Sequence, residues 1–198
     1  MIRAAEIATA LQGALYLARG RREGLRYMDT SRAGALRSFW AAAIGLPAAI
    51  PLILLRHGYF PPRIDEAETL LVEAIAYAIG WTAFPVLAHL AARIADRASL
   101  FPRLVAAYNW TSLVQLGVLL VASPLALADI LPAPLDTLLE LALRLALLAY
   151  LAFTIRVALD LGWAAAIGLA LVEFMLGLSV FRTVITLENA WPLPPGAA

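Results

Sequence analysis

Five runs of apolar residues, each about 20 long and separated by short polar breaks, limit what this chain can fold into. They cover roughly residues 38–55, 69–91, 104–122, 137–158 and 163–185. An α-helix rises about 1.5 Å per residue, so about 20 residues cross a hydrocarbon core of about 30 Å. Of the 198 residues, 63% are hydrophobic, against about 45–50% in soluble domains. A water-soluble domain of this size has too much surface for its volume to hide so much apolar area. The apolar residues are mostly Ala and Leu, which favour helices; strands would be richer in Val, Ile, Thr and aromatics. The expected fold is therefore all-α: a polytopic membrane helix bundle of five transmembrane helices, preceded by an N-terminal amphipathic interfacial helix.

The expected organisation is a basic amphipathic segment over residues 1–37, a five-helix transmembrane domain over 38–187 and an irregular tail over 188–198. Ile7, Leu11 and Leu15 recur every four residues, away from Glu6, Thr9 and Gln12. That stripe suits a short helix lying in the membrane surface. Arg19, Arg21 and Arg22 stand where a signal-peptide cleavage site would fall, so the N-terminus is expected to be retained. Pro47 and Pro51 each remove a backbone donor from the first span, and a kink is expected there. Ser123 to Asp136 reads as a Pro-rich connector. All 15 basic residues are Arg, and with the N-terminus placed in the cytoplasm eleven lie on that side against three on the other, Arg144 falling within a span. Positive-inside counting then expects a bacterial inner (cytoplasmic) membrane protein with a cytoplasmic N-terminus and a periplasmic C-terminus.

Motifs for chemistry are absent from the sequence: no GxxxxGK[ST], GxSxG, HExxH or CxxC occurs. There is no Cys, and the two His, His57 and His89, lie 32 residues apart. No catalytic, cofactor-binding or metal-ligating residue is assigned, and the chain is read as a non-enzyme without cofactors. A net charge of +1 gives no cationic field for nucleic acid.

Polar groups at membrane depth are the informative exceptions, because a charge there costs at least ~2.5–3.5 kcal/mol. Residue counting puts Gln115 and Arg144 roughly 12 Å, and Glu173 roughly 14 Å, below the outer boundary. An Arg144–Glu173 pair with Gln115 nearby is expected, with Glu140 one turn from Arg144 in the favourable acid-before-base order. A structural ion pair, a proton or ion path, and outward snorkelling of Arg144 and Glu140 are all open readings. Glu73 reads as an interfacial carboxylate. Tyr108, Asn109 and Trp110, with Arg19, Arg21 and Arg22, are candidate contacts for lipid or a partner, the aromatic pair also fitting an interfacial belt.

A basic N-terminal segment followed by five close-packed spans, with Tyr108-Asn109-Trp110-Thr111 on the third, resembles bacterial Yip1-like five-span inner-membrane proteins. The likeness covers about residues 35–190 as architecture. Eukaryotic Yip1 members are implicated in vesicle traffic with small GTPases. The acidic cytosolic motif of that family is missing and the N-terminal stretch is arginine-rich, so no site residues are carried over. The leading functional expectation is a subunit, scaffold or membrane-organisation factor, with membrane lipids and a membrane-protein partner or a second copy as its contacts. The alternative is a small transporter or channel component built around Arg144 and Glu173.

Overall fold

The computed structural model describes residues 2–127 and 132–190. Among these residues every regular element is a helix, with no strand. The helices are α1 (Ala4–Ala18), α2 (Arg32–Ser38), α3 (Trp40–Tyr59), α4 (Glu66–Ile94), α5 (Phe101–Leu127), α6 (Ala133–Leu159) and α7 (Trp163–Ala190). Among the described residues five stretches are long and apolar enough to cross a membrane, the first running through α2 and α3 from Arg32 to Tyr59.

Polar residues outside the apolar runs make these helices longer than hydropathy alone suggests. Ser31 opens α2, its Oγ accepting from the Gly34 N–H at 3.0 Å. Asp65 opens α4, its Oδ1 accepting from the Glu68 N–H at 2.8 Å. Side-chain acceptors satisfy N–H groups that a helix start leaves without partners, and Glu66 and Glu68 in that first turn suit its positive end. At the other end of α6, Asp160 takes a left-handed conformation (φ 53°), reversing the chain in three residues and laying α7 antiparallel to α6. Two boundaries differ from expectation. The Pro-rich connector begins as helix, α5 passing through Pro124 to Leu127, while residues 128–131 lie outside the described residues. The tail expected from residue 188 starts as the last turn of α7, and residues 191–198 lie outside the described residues. Helix α3 stays one helix through Pro47 and Pro51. A proline's fixed φ is compatible with a helix, and each proline takes one backbone bond from the carbonyl four residues before it while its ring crowds that carbonyl.

Packing is uneven along the bundle. At the arginine-rich end, every residue of α5 from Leu104 to Thr111 is buried. A helix buried on all sides is a central one, and α1, α2, α3 and α6 surround it. The last turns of α6 join this core through Leu151, Ala152, Ile155, Ala158 and Leu159. At the opposite end, α6 is exposed on most sides: Leu135, Leu138, Leu139, Leu141 and Leu145 all lie open.

The N-terminal helix does not rest on lipid alone. Ala10, Gly13, Ala14 and Leu17 are buried against the bundle, and the Tyr150 hydroxyl donates to the Ala14 carbonyl at 2.6 Å. The 22–27 turn folds back onto α1 where two glycines cross. A Cβ on Gly13 would lie 2.5 Å from the Gly24 carbonyl oxygen, and one on Gly24 would lie 2.3 Å from that of Gly13. Arg37 fastens the joint by donating from Nε to Glu6 at 2.9 Å and pairing with Asp29. Hydrogen bonds from Ser31, with Arg37 alongside, hold the Asp29 carboxyl below its usual range.

Replacing Gly24 with Val should therefore undock α1, at a cost of about 1–3 kcal/mol for overpacking. Thermal unfolding in detergent should shift down, and trypsin should cut faster between Arg19 and Arg26. Unchanged melting and cleavage would contradict the crossing.

Candidate functional site

Hydrogen bonds between helices mark where polar residues enter the bundle. Tyr77 on α4 donates to the Ala42 carbonyl on α3 at 2.6 Å. Asn109 on α5 donates to Ser38 Oγ on α2 at 2.8 Å. Thr111 and Thr154, on α5 and α6, meet at 3.5 Å. One turn further along, Gln115 donates from Nε2 to the Leu147 carbonyl at 3.1 Å. Such bonds are worth about 0.6 kcal/mol each on average in a membrane, so they set register more than stability.

Beyond Gln115 the helices part, leaving a cavity of about 820 Å³ between α5, α6 and α7, with Leu55 of α3 at its edge. Its walls are mainly leucine, interrupted by Gln115, Ser123, Asp136, Glu140, Arg144 and Glu173. All four residues of the expected polar cluster thus line one space. The expected Arg144–Glu173 pair does not form. Arg144 pairs instead with Glu140, one turn back on its own helix, and the two side chains are 61% and 52% exposed. Glu173 accepts a hydrogen bond from the Tyr108 hydroxyl at 3.2 Å, and no ion pair reaches it among the described residues. An i,i+4 partner is always within reach, whereas a partner on the next helix must also stand level and face the right way; counted from the 160–162 turn, Arg144 lies about 8 Å further along its helix than Glu173 does along its own.

A second constellation gathers at the same end, on the side of the bundle formed by α3, α4 and α7. Arg56 grips Glu188 with both terminal nitrogens, at 3.2 and 3.3 Å, and also pairs with Glu73. The Nε2 of His57 lies 2.7 Å from Glu73 and 3.4 Å from Glu188. Glu188 is fully buried, and its backbone carbonyl accepts from the Arg63 N–H at 2.8 Å. Sequence reasoning left these residues apart: His57 as one of two distant histidines, Glu73 as an interfacial carboxylate and Glu188 as the start of the tail. Their ends of α3, α4 and α7 share one side of the membrane in a five-span topology, which is the signal that could have joined them. The ligand atoms of His57, Glu73 and Glu188 lie within 4.8 Å of one another, close enough to hold a metal. Arg56 Nη2, however, sits within 3.3 Å of all three, so a built-in cation already fills the centre. The geometry is that of an ionic clasp across three helices.

The remaining candidates separate. Tyr108, Asn109 and Trp110 do not face lipid: α1 and α2 cover this part of α5, and all three are buried. Tyr108 packs against Phe84, with ring centroids 4.8 Å apart, and Asn109 Oδ1 is buried without a partner. Arg19, Arg21 and Arg22 are exposed where the chain leaves α1, Arg21 lying 5.7 Å over the Tyr16 ring. At the same end of the bundle Arg156 lies 4.9 Å over Trp163.

Comparison with protein-family models, with curated proteins and with solved structures finds no match to this chain.

Truncating Arg56 to Met would leave a buried carboxylate without its cation, a loss of about 3–5 kcal/mol. Adding Glu188→Gln to Arg56→Met should recover part of it, as read by unfolding in a detergent titration. A double variant as unstable as the sum of the singles would show that the clasp does not act as a unit.

Proposed function

We propose that this chain is a non-enzymatic multi-pass protein of a bacterial inner membrane, and that the open half of its bundle binds an amphiphilic molecule, as a small transporter or carrier component does. The observation carrying this reading is the cavity between α5, α6 and α7, with the Glu140–Arg144 pair and the Glu173 carboxylate on its walls. By residue count Arg144 lies about 17 Å along α6 and Glu173 about 15 Å along α7, well inside either helix. Ionised groups at that depth need water or a polar partner. Lipid tails supply neither, whereas a cavity that admits water or a headgroup supplies both. The volume falls within the ~300–1,000 Å³ of ordinary ligand pockets, and apolar walls with a few polar groups are their usual composition.

A subunit or assembly role is the second reading, favoured by the open leucine face of α6 from Leu135 to Leu145, which offers a flank to another membrane protein. In both readings the arginine-rich end faces the cytoplasm, as positive-inside counting favours.

The absence of cysteine from the sequence makes the cavity testable with single reporters. Leu143→Cys, on the cavity wall, should react readily with a membrane-impermeant thiol reagent added from the periplasmic side. Ala152→Cys, in the buried core, should not. A short-chain amphiphile in excess should slow the Leu143→Cys reaction. Equal protection of both positions without added amphiphile would remove the case for an accessible site.

A further inference from the structure

We infer that the cavity selects lipophilic cations, with Glu173 as the group that receives their charge; this rests on reading the cavity as a ligand site. Charge is the first observation. Three carboxylates line the space, Asp136, Glu140 and Glu173, against one guanidinium, Arg144, so with the acids ionised the wall carries two negative charges in excess. That lone guanidinium is already paired with Glu140. An anionic headgroup would therefore meet net repulsion, and a cationic one net attraction.

Geometry is the second observation. Glu173 is half-buried on the cavity wall, and Tyr108 gives it one hydrogen bond, at 3.2 Å. An ionised carboxylate has about four acceptor sites, so most of its capacity stays open toward the cavity. Gln115, which also lines the space, donates its amide to the Leu147 carbonyl rather than to Glu173. An occupant carrying a positive charge would supply what the protein withholds.

The walls decide what kind of cation. Leu119, Leu139, Leu143, Leu147, Leu148 and Phe174 line the same space with hydrocarbon. A hard metal ion needs about six oxygen ligands, and this surround does not offer them. A cation wrapped in its own apolar groups satisfies both demands, burying its body against leucine and bringing its charge to Glu173.

Two ions of the same shape and opposite sign test this directly: tetraphenylphosphonium and tetraphenylborate, titrated by equilibrium dialysis into the full chain in mild detergent. Saturable binding of the cation at one site per chain is expected, with no saturable binding of the anion. Glu173→Gln should weaken the cation about tenfold or more, while Glu173→Asp, which keeps the charge, should retain most of the affinity. Size-exclusion profiles and helical circular dichroism matching the parent protein would show that both variants are folded. If the Gln variant fails that check, Asp136→Asn with Glu140 intact serves instead, with a smaller loss expected. Equal binding of both ions would overturn charge selection and leave an unselective amphiphile site. Undiminished binding to a folded Glu173→Gln protein, or no binding of the cation at all, would overturn the inference. Accessibility at Leu143→Cys would still judge the cavity separately.

Discussion

Eight consecutive residues of α5, Leu104 to Thr111, are buried, and α1, α2, α3 and α6 are arranged around them. In lipid there is no hydrophobic drive between helices, since the tails are as apolar as leucine. Close packing and a few hydrogen bonds must hold the bundle instead. The small residues Ala106 and Ala107, with Ala88, Ala92, Ala152 and Ala158 on the neighbouring helices, permit that closeness. Asn109, Thr111 and Tyr108 add directed bonds to α2, α6 and α7 respectively. The docking of α1 belongs to the same core, its small-residue face covering the base of the bundle.

The opposite half is organised on another principle. There α3, α4 and α7 are joined by charge, through Arg56, Glu73 and Glu188, while α5 and α6 stand apart from that clasp. The cavity opens where neither close packing nor the clasp reaches. Gln115 marks the transition: its bond to Leu147 is the last tie between α5 and α6 before the space begins. A single chain thus combines a rigid base, a fastened flank and an open flank, and the polar groups at membrane depth fall on the open one.

Much of this was legible in the residues. The number of spans and the all-helical class followed from the length of the apolar runs. Grouping was legible too: Gln115, Arg144 and Glu173 do border one space. Direction was not. Which way Arg144 points depends on the rotation of α6 about its axis, and in an Ala- and Leu-rich helix no apolar stripe records that rotation. The same uniformity hid the burial of Tyr108 and Trp110, which read equally well as an interfacial belt. Helix ends were blurred because Pro124 and Glu188 are helix-breaking or polar by type yet helical by context, and because Asp65 starts α4 from just outside it. The clasp escaped because Arg56 and Glu188 are separated by 132 residues, and only topology brings them to one side.

The uneven packing also has a mechanical meaning. Work done on a membrane protein by its bilayer is lateral pressure multiplied by the change in cross-section at that depth. Here the close-packed base can change its cross-section little, whereas the half around the cavity leaves space between α5, α6 and α7. Compression of the leaflet around the open half would squeeze the cavity, and thinning or stretching of that leaflet would widen it. The arginine-rich leaflet could be altered as strongly with little effect on the space above it.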